Sequence, residues 1–435
     1  MENSLLKSLI LMHKSRFLAS KELVKREILA ELKRHILSRE IVFISGIRRS
    51  GKSSLMWLIA QEAINKDGIP RENILFINFE DERFINFTSE DFDKLYQTYL
   101  EIENPVGKKY LFFDEIQNIN GWEKWINRLY EFEDVKIFIT GSNASLIGSS
   151  ISTSLTGRNR QIKNHTFSFK EYLWFLGLDI KERDRYVPER LVEIKRAFTN
   201  YLKSGGFPEV IKGEDITLAE QYFKDIIHRD VVSRYNIRNT KEIRELSLFL
   251  ITNSGCLASY DSLRKIIQAK NATTIKNYLN ILEDVYLIES LPLYDFSIKK
   301  QIYNPDKYYV NDLGFYHGVG FKFSENIGQQ LENIVFEQLT RKDSELYYWK
   351  SKKGNEVDFL IKRQNKITDA IQVTSILSVE NLKRETAGLD ALRGELGEVN
   401  RFILTYDQEM ETTTATGTIP VIPVWKWLLG ESVNL

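Results

Sequence analysis

One glycine-rich segment constrains what this chain of 435 residues can fold into more than any other part of its sequence. The segment Gly46-Ile47-Arg48-Arg49-Ser50-Gly51-Lys52-Ser53 has glycine, glycine, lysine and serine at the spacing of a phosphate-binding loop. The apolar run Ile41–Ile44 precedes it, and a helix-like stretch begins near Ser53 and Ser54. Backbone N–H groups of such a loop, together with the N-terminus of the following helix, bind phosphate oxygens. The sequence therefore predicts a phosphate-binding loop between a buried strand and a helix.

Apolar runs and helix-like segments alternate along the next hundred or so residues. The runs Ile74–Phe79, Tyr110–Phe113 and Val135–Thr140 have the composition of strands that are buried on both faces, and the stretches Asp91–Leu100 and Trp122–Phe132 separate them. Strands that alternate with helices form right-handed βαβ units. We therefore expect an α/β fold in which helices cover both faces of a parallel sheet.

The candidate catalytic residues lie in the glycine-rich loop and at one strand end. In a phosphate-binding loop, the lysine neutralises the β- and γ-phosphates and the following hydroxyl binds Mg²⁺, which assigns these roles to Lys52 and Ser53. Asp114 and Glu115 follow an apolar run at the sheet edge where open α/β folds bind ligands. We expect Asp114 to hold the water shell of Mg²⁺ and Glu115 to activate the attacking water. The predicted nucleotide-binding residues of the loop are Gly46, Ile47, Arg48, Arg49, Ser50, Gly51, Lys52, Ser53 and Ser54.

A further polar strand end follows the segment Val135–Thr140. It reads Thr140-Gly141-Ser142-Asn143, so that Ser142 or Asn143 is a candidate to contact the γ-phosphate or to orient water. An ordinary turn is the alternative interpretation.

Composition and charge narrow the class of protein. Lysine and arginine number 60, aspartate and glutamate also number 60, and this balance gives no global field toward nucleic acid or an anionic membrane. The single cysteine, Cys256, excludes an intrachain disulfide and a cysteine-based zinc cluster. The N-terminus lacks the uninterrupted apolar core of a signal peptide, and no run of 18 apolar residues is present. We therefore expect a cytoplasmic protein without a membrane partner.

Changes in pattern predict four regions: a phosphate-binding core with an N-terminal helix at 1–170, a helical lid or connector at 171–246, a winged-helix-like region at 247–305, and an α/β region at 306–435. The turn Ser204-Gly205-Gly206-Phe207-Pro208 interrupts the connector. In the last region, a helix near Ile327–Leu339 leads into strands near Glu345–Trp349, Glu356–Ile361 and Ala370–Thr374.

The motifs taken together resemble those of archaeal and bacterial P-loop ATPases of the AAA+ superfamily that carry a C-terminal DUF4143 region. The resemblance covers about residues 20–375 and rests on the loop at 46–53, on Asp114-Glu115-Ile116-Gln117, on Thr140-Gly141-Ser142, on Leu155-Thr156-Gly157-Arg158, on Phe167-Ser168-Phe169-Lys170-Glu171-Tyr172, on Gly205-Gly206-Phe207-Pro208 and on Glu356-Val357-Asp358-Phe359. It implies an AAA-type core, ATP as the nucleotide, and a γ-phosphate-sensing role for Arg158. A surface ion pair is the alternative for Arg158.

The winged-helix-like region suggests two kinds of partner. Its second helix is polar, and through Thr273, Thr274, Lys276 and Asn277 it is able to enter the major groove of DNA. Acidic residues follow at 283 and 284, so that the face is not strongly basic and packing against a protein is equally open.

The C-terminal region resembles the PD-(D/E)xK nuclease fold. The resemblance implies that Glu332, Asp358 and Gln372 converge on Mg²⁺. Thr374 stands where the pattern has its lysine, so we expect weak cleavage or none unless another lysine replaces it. The candidates for that replacement are Lys350, Lys352 and Lys353.

The leading interpretation is an ATPase with an α/β P-loop core, whose nucleotide state moves the winged-helix and nuclease-like C-terminal regions, with DNA as a candidate target. One alternative is an ATP-gated, Mg²⁺-dependent DNA nuclease. The other is an adaptor that holds nucleotide for structure and binds a protein partner. A homo-oligomer is compatible with all three.

Overall fold

The computed structural model describes residues 1–143, 157–321, 326–342 and 344–430. The described chain divides into two compact units, one formed by Met1–Thr166 with Asp284–Tyr286, the other by Phe167–Glu283 with Leu287–Leu435. Of the predicted motif at residues 155–158, Leu155 and Thr156 lie outside the described residues. No helix in the described ranges is long and apolar enough to cross a membrane.

The first unit contains a parallel sheet of five strands among its described residues, in the order β2-β3-β4-β1-β5. The strands are β1 (Ile41–Ser45), β2 (Ile74–Asn78), β3 (Lys109–Asp114), β4 (Val135–Gly141) and β5 (Asn159–Lys163). The helices are α1 (Asn3–Leu18), α2 (Leu29–Ile36), α3 (Lys52–Asn65), α4 (Asp91–Glu103) and α5 (Trp122–Phe132). The predicted α/β fold with a P-loop core is confirmed.

Both faces of this sheet are buried, as the apolar runs predict. One face packs with α1, α4 and α5, and the other with α2 and α3. On the second face the rings of Phe112 and Phe138, from neighbouring strands, stack at 4.8 Å. Because the strands are parallel, β1, β3 and β4 all end at the same edge, which brings the loop after β1 close to the acidic end of β3.

The second unit begins with helices and continues as a small antiparallel sheet. The helices are α6 (Phe169–Phe175), α7 (Pro188–Ser204), α8 (Pro208–Gly213), α9 (Thr217–Asp225), α10 (Thr240–Thr252), α11 (Tyr260–Ile267) and α12 (Ala272–Asp284), and a π-helical segment, Ile226–Ser233, follows α9. The sheet, in the order β6-β8-β7, is formed by β6 (Cys256–Ala258), β7 (Ile288–Leu291) and β8 (Asp306–Val310). Helices α10 to α12 with these strands have the element order of a winged helix. Strand β8 lies just past the boundary predicted at residue 305, and that boundary stays a prediction.

The C-terminal part of the second unit is a mixed α/β layer structure. Its helices are α13 (Ile298–Tyr303), α14 (Leu313–Gly318), α15 (Ile327–Thr340), α16 (Leu382–Leu396) and α17 (Val424–Leu428). Its strands are β9 (Glu345–Lys350), β10 (Glu356–Arg363), β11 (Lys366–Val373), β12 (Asn400–Thr405), β13 (Met410–Thr414) and β14 (Gly417–Pro423). The described strands pair in the order β13-β14-β12-β11-β10-β9. The predicted α/β character of this region is confirmed, whereas its relation to nucleases stays a prediction.

Candidate nucleotide site

The loop between β1 and α3 has the backbone conformation that its glycines allow. Gly46, Arg49 and Gly51 have φ angles of 146°, 70° and 89°. A Cβ atom on Gly46 would lie 2.2 Å from the carbonyl oxygen of Asn164, closer than any side chain tolerates. Helix α3 begins at Lys52, so its free N–H groups face the loop. The loop is therefore shaped to bind phosphate, as its sequence predicts.

Two buried residues far away in sequence hold this loop in place. The side-chain amide of Asn164 donates to the carbonyl oxygen of Ser50 at 3.0 Å and to its Oγ at 3.1 Å. The guanidinium of Arg26 donates to the same carbonyl at 3.3 Å and to the carbonyl of His165 at 2.6 Å. Sequence reasoning missed both residues, because Arg26 precedes α2 in a segment without regular structure and Asn164 follows β5, outside any motif.

Lys52 lies between the loop and the acidic end of β3. Its Nζ donates to the carbonyl oxygens of Gly46 at 3.0 Å and Ile47 at 3.3 Å. The same atom lies 3.6 Å from Oε1 of Glu115. The ammonium is thus already at the loop and beside the predicted catalytic carboxylate.

Asp114 is buried among hydroxyl donors. Ser53 Oγ donates to Asp114 Oδ2 at 2.6 Å, and Thr140 Oγ1 donates to Asp114 Oδ1. Burial, and then the charge of Glu115, raises the pKa of Asp114 to about 6, and the two hydroxyl donors oppose this rise. A hydroxyl and a carboxylate in contact are the oxygen ligands that Mg²⁺ takes beside a nucleotide. The donor set fits Mg²⁺, with Ser53 and Asp114 as the residues that would hold it.

The orientation of Glu115 depends on two neighbours. Its backbone has a left-handed φ of 51°, and its N–H donates to Thr140 Oγ1 at 3.0 Å. The side-chain amide of Gln117 donates to Oε2 of Glu115. Sequence reasoning included Thr140 and Gln117 as parts of motifs without giving either a role. Their contacts show that both position the carboxylates.

Several buried polar atoms around the loop are without a hydrogen-bond partner. Within the described ranges these atoms are Ser45 Oγ, Gln117 Oε1, Ser142 Oγ and Asn164 Oδ1. Unsatisfied buried polar atoms are costly, so their concentration around one loop indicates a place for a polar ligand or water. Ser142, predicted to contact the γ-phosphate, is buried in this group, whereas the role itself stays a prediction.

The arginines of the predicted site lie at its periphery. Arg48 forms an ion pair with Glu80 at 2.8 Å. Arg158 forms a partly exposed ion pair with Glu131 at 2.6 Å and donates to Asn127 Oδ1 at 2.5 Å. This is the alternative contact expected for Arg158, and its sensing role stays a prediction.

The predicted nuclease-like residues meet around a lysine that the sequence did not single out. Glu332 and Asp358 each contact Nζ of Lys307 at 3.1 Å. Gln372 points elsewhere, because its amide donates to Oε2 of Glu385 at 3.1 Å. Of the lysines proposed as substitutes, Lys350 is half exposed and lies 3.9 Å from Glu356. In the part of the chain that the structure describes, no group of three or more His, Cys, Asp or Glu side chains is arranged to hold a metal ion.

Comparison with known proteins gives three matches to family models along the chain. An AAA domain model matches residues 38–173, and models of two domains of unknown function, DUF8612 and DUF4143, match residues 195–325 and 327–427. Among whole proteins, the uncharacterized protein MJ1544 of Methanocaldococcus jannaschii is 36% identical over 91% of this chain and 89% of its own length. An uncharacterized protein of Haemophilus influenzae is 31% identical over 89% of this chain and 94% of its own length.

The chain is also similar to solved structures, among them an archaeal and a bacterial protein. The ORC1 protein of Aeropyrum pernix in complex with DNA matches 69% of this chain and 93% of its own, with 12% identity and a TM-score of 0.32. AMPPCP-bound DnaA from Aquifex aeolicus matches 59% of this chain and 86% of its own, with 17% identity and a TM-score of 0.29.

Proposed function

We propose, since this chain belongs to the family that joins an AAA domain to a C-terminal DUF4143 region, that it binds MgATP at the loop after β1 and hydrolyses it. The observation that supports the proposal best is the contact between Ser53 and Asp114, because it joins the helix that receives phosphate to the acidic strand end. A glycine turn with a merely structural lysine would not require a buried carboxylate beside that hydroxyl.

Each residue of the site has a distinct task in this reaction. The loop N–H groups and the Lys52 ammonium bind the phosphates, and Ser53 and Asp114 hold Mg²⁺. When bound, Mg²⁺ supplies positive charge to the phosphate oxygens. Glu115, held by Gln117 and Thr140, accepts the proton of the attacking water. The products are ADP and inorganic phosphate.

The direct test is phosphate release from ATP by the purified protein. Lys52→Ala should lower turnover by about 100-fold or more, because the phosphate charge loses its partner. Lys66→Ala is the matched control, since Lys66 lies just past the other end of the same helix in an exposed ion pair with Glu62. Turnover that is equal in the two variants would refute the proposed site.

We extend the proposal to the second unit. The nucleotide bound in the first unit, ATP or ADP, changes the conformation of the regions after residue 166. The support is that the AAA domain model and the DUF4143 model both match this one chain. Hydrogen exchange with a non-hydrolysable ATP analogue, compared with ADP, should change protection in residues 167–430. Changes confined to the first unit would contradict this extension, and Lys52→Ala should abolish all of them.

Double-stranded DNA is the partner for which the second unit offers a surface. On α12 the side chains of Thr273, Lys276 and Asn277 are exposed, whereas Ile275 and Tyr278 are buried. A polar, partly basic face on the second helix of a helix-turn-helix fits a major groove. A protein partner is the alternative, and DNA titration decides between them.

A further inference from the structure

A buried ammonium lies at the centre of the carboxylate cluster in the second unit. Lys307 is on β8 and only 4% of its surface is exposed. Its Nζ lies 2.8 Å from Glu356 Oε1, and 3.1 Å from both Glu332 Oε1 and Asp358 Oδ1. Two further groups complete the cluster: Tyr309 donates to Glu332 Oε1 at 2.6 Å, and the N–H of residue 373 donates to Asp358 Oδ2 at 2.9 Å.

The number of contacts decides what this ammonium is able to do. A protonated lysine has three N–H donors, and here the nitrogen donates to Glu332 Oε1 and Asp358 Oδ1 and forms an ion pair with Glu356 Oε1 at 2.8 Å. A lysine whose nitrogen is surrounded by three carboxylates of the protein is held by them and is not directed at a substrate phosphate. It differs in this respect from a lysine that stabilises charge in a reaction, which must point a donor at the reacting group.

The carboxylates of Glu332, Glu356 and Asp358 are also the kind of ligands that a divalent cation binds. They come from different elements, with Glu332 on α15 and both Glu356 and Asp358 on β10. Three carboxylates that all contact one nitrogen are close enough to repel one another in the protein interior unless a cation lies between them. The ammonium of Lys307 supplies that charge.

We propose that Lys307 takes the place of a divalent cation in this cluster, so that the cluster is a metal-independent clamp between the three-stranded sheet and the six-stranded sheet of the second unit. The proposal is independent of the ATPase function. As they stand around the ammonium, these carboxylates are not among any group of described residues arranged to hold a metal ion, and the proposal implies that removal of the ammonium lets the three close around Mn²⁺, Mg²⁺ or Ca²⁺. It also implies that the cluster does not cleave DNA.

Thermal unfolding of the whole protein tests the clamp. Lys307→Met should lower the unfolding temperature of the second unit by about 5 to 15 °C in EDTA, because buried carboxylates lose their partner. Millimolar Mn²⁺ should restore much of this loss. Lys353→Met, an exposed lysine in the nearby β9–β10 turn, is the matched control and should change nothing. Wild type should unfold at the same temperature in EDTA and in Mn²⁺.

A second variant keeps the test decisive if Lys307→Met does not fold. The triple substitution Lys307→Met, Glu332→Gln and Asp358→Asn removes most of the repulsion and should fold without responding to Mn²⁺. The proposal is overturned if wild type is stabilised by Mn²⁺ and Asp358→Asn loses that effect. Mg²⁺-dependent cutting of DNA by wild type, lost in Asp358→Asn, would also overturn it and would identify a metal-dependent nuclease.

Discussion

Ser53 Oγ and Asp114 Oδ2 lie 2.6 Å apart, which joins the first turn of α3 to the end of β3 across 61 positions of sequence. The carboxylate is almost completely buried there, with Lys52 and Glu115 as charged neighbours. Its burial favours binding of a cation, whereas without a cation the same burial penalises the ionised form. The proposed MgATP site is therefore expected to cost stability when no ligand is bound.

The first prediction concerns that cost. The pKa of Asp114 is raised to about 6, because burial favours the protonated carboxyl. The protonated carboxyl therefore stabilises the folded state fully below the unfolded pKa near 3.8, and this stabilisation is lost as pH rises through 6. Asp114→Asn should therefore raise the free energy of unfolding of the nucleotide-free protein by about 1 to 3 kcal/mol near pH 7.5, and by about half as much near pH 5. Denaturant unfolding at the two pH values measures this.

The control for this prediction is Asp67→Asn, an exposed carboxylate of the same unit, which should leave the unfolding free energy unchanged. Asp114→Asn should also lose the stabilisation that MgATP gives to wild type. An Asp114→Asn variant that is less stable than wild type near pH 7.5 would show that the hydroxyl donors outweigh burial.

The second prediction separates positioning from proton transfer. Gln117 contacts Glu115 only through its amide, while its own Oε1 is unpartnered among the described residues. Gln117→Leu should lower kcat for ATP by about 10-fold and leave KM within about 2-fold, because only the orientation of the base changes. Glu115→Gln should lower kcat by about 100-fold or more. A rise in KM at constant kcat would instead place Gln117 in nucleotide binding.

The third prediction tests the DNA surface. Lys276→Ala should weaken binding of duplex DNA a few-fold and reduce the slope of log affinity against log salt by about 1, as expected when one phosphate contact is lost. Lys212→Ala, an exposed lysine of α8, is the control and should change neither quantity. Fluorescence anisotropy over a salt series measures both. Equal DNA binding by the two variants would contradict a DNA-binding role for this face of α12.

The residues that sequence reasoning found share one property, which is that local spacing defines them. Lys52 and Ser53 belong to one motif, and Asp114 ends an apolar run, so a strand and a turn suffice to place them. Asn164 and Lys307 could not be found in this way. Asn164 contacts Ser50 across 114 positions and Lys307 contacts Asp358 across 51, so both depend on which strands become neighbours.

The same limit applies to the predicted C-terminal cluster. Glu332 and Asp358 both contact Lys307, which the sequence analysis did not name, and their predicted convergence on Mg²⁺ stays a prediction. Gln372 is on the expected strand, yet its amide donates to Glu385 of α16, a helix that the sequence analysis did not include in the cluster. Which side chain of a strand meets which helix is set by packing across the sheet, and spacing along one segment does not contain that information.

The turn at Gly205 supports a last prediction, on stability. Helix α7 ends there, and Gly205 has a φ of 68°. The carboxylate of Asp312 accepts the N–H of Gly206 at 2.9 Å and that of Gly314 at 2.7 Å. A Cβ on Gly205 would lie 2.0 Å from Asp312 Oδ1 and 2.3 Å from the backbone nitrogen of Gly314. The turn therefore requires glycine both for its backbone angle and for the carboxylate that closes it.

Gly205→Ala should consequently destabilise the second unit by about 3 kcal/mol or more, since a backbone with φ of 68° and ψ of −162° is open essentially to glycine alone and costs another residue about 1 to 3 kcal/mol, and since the displaced carboxylate leaves N–H groups unpaired. Gly177→Ala is the comparison for a positive φ without a steric contact, because Gly177 has a φ of 75° and a Cβ there would meet no atom within 4 Å. It should lose only the conformational part. Equal losses for the two variants in denaturant unfolding would mean that Asp312 yields without cost, and that the Gly-Gly turn is conformational alone.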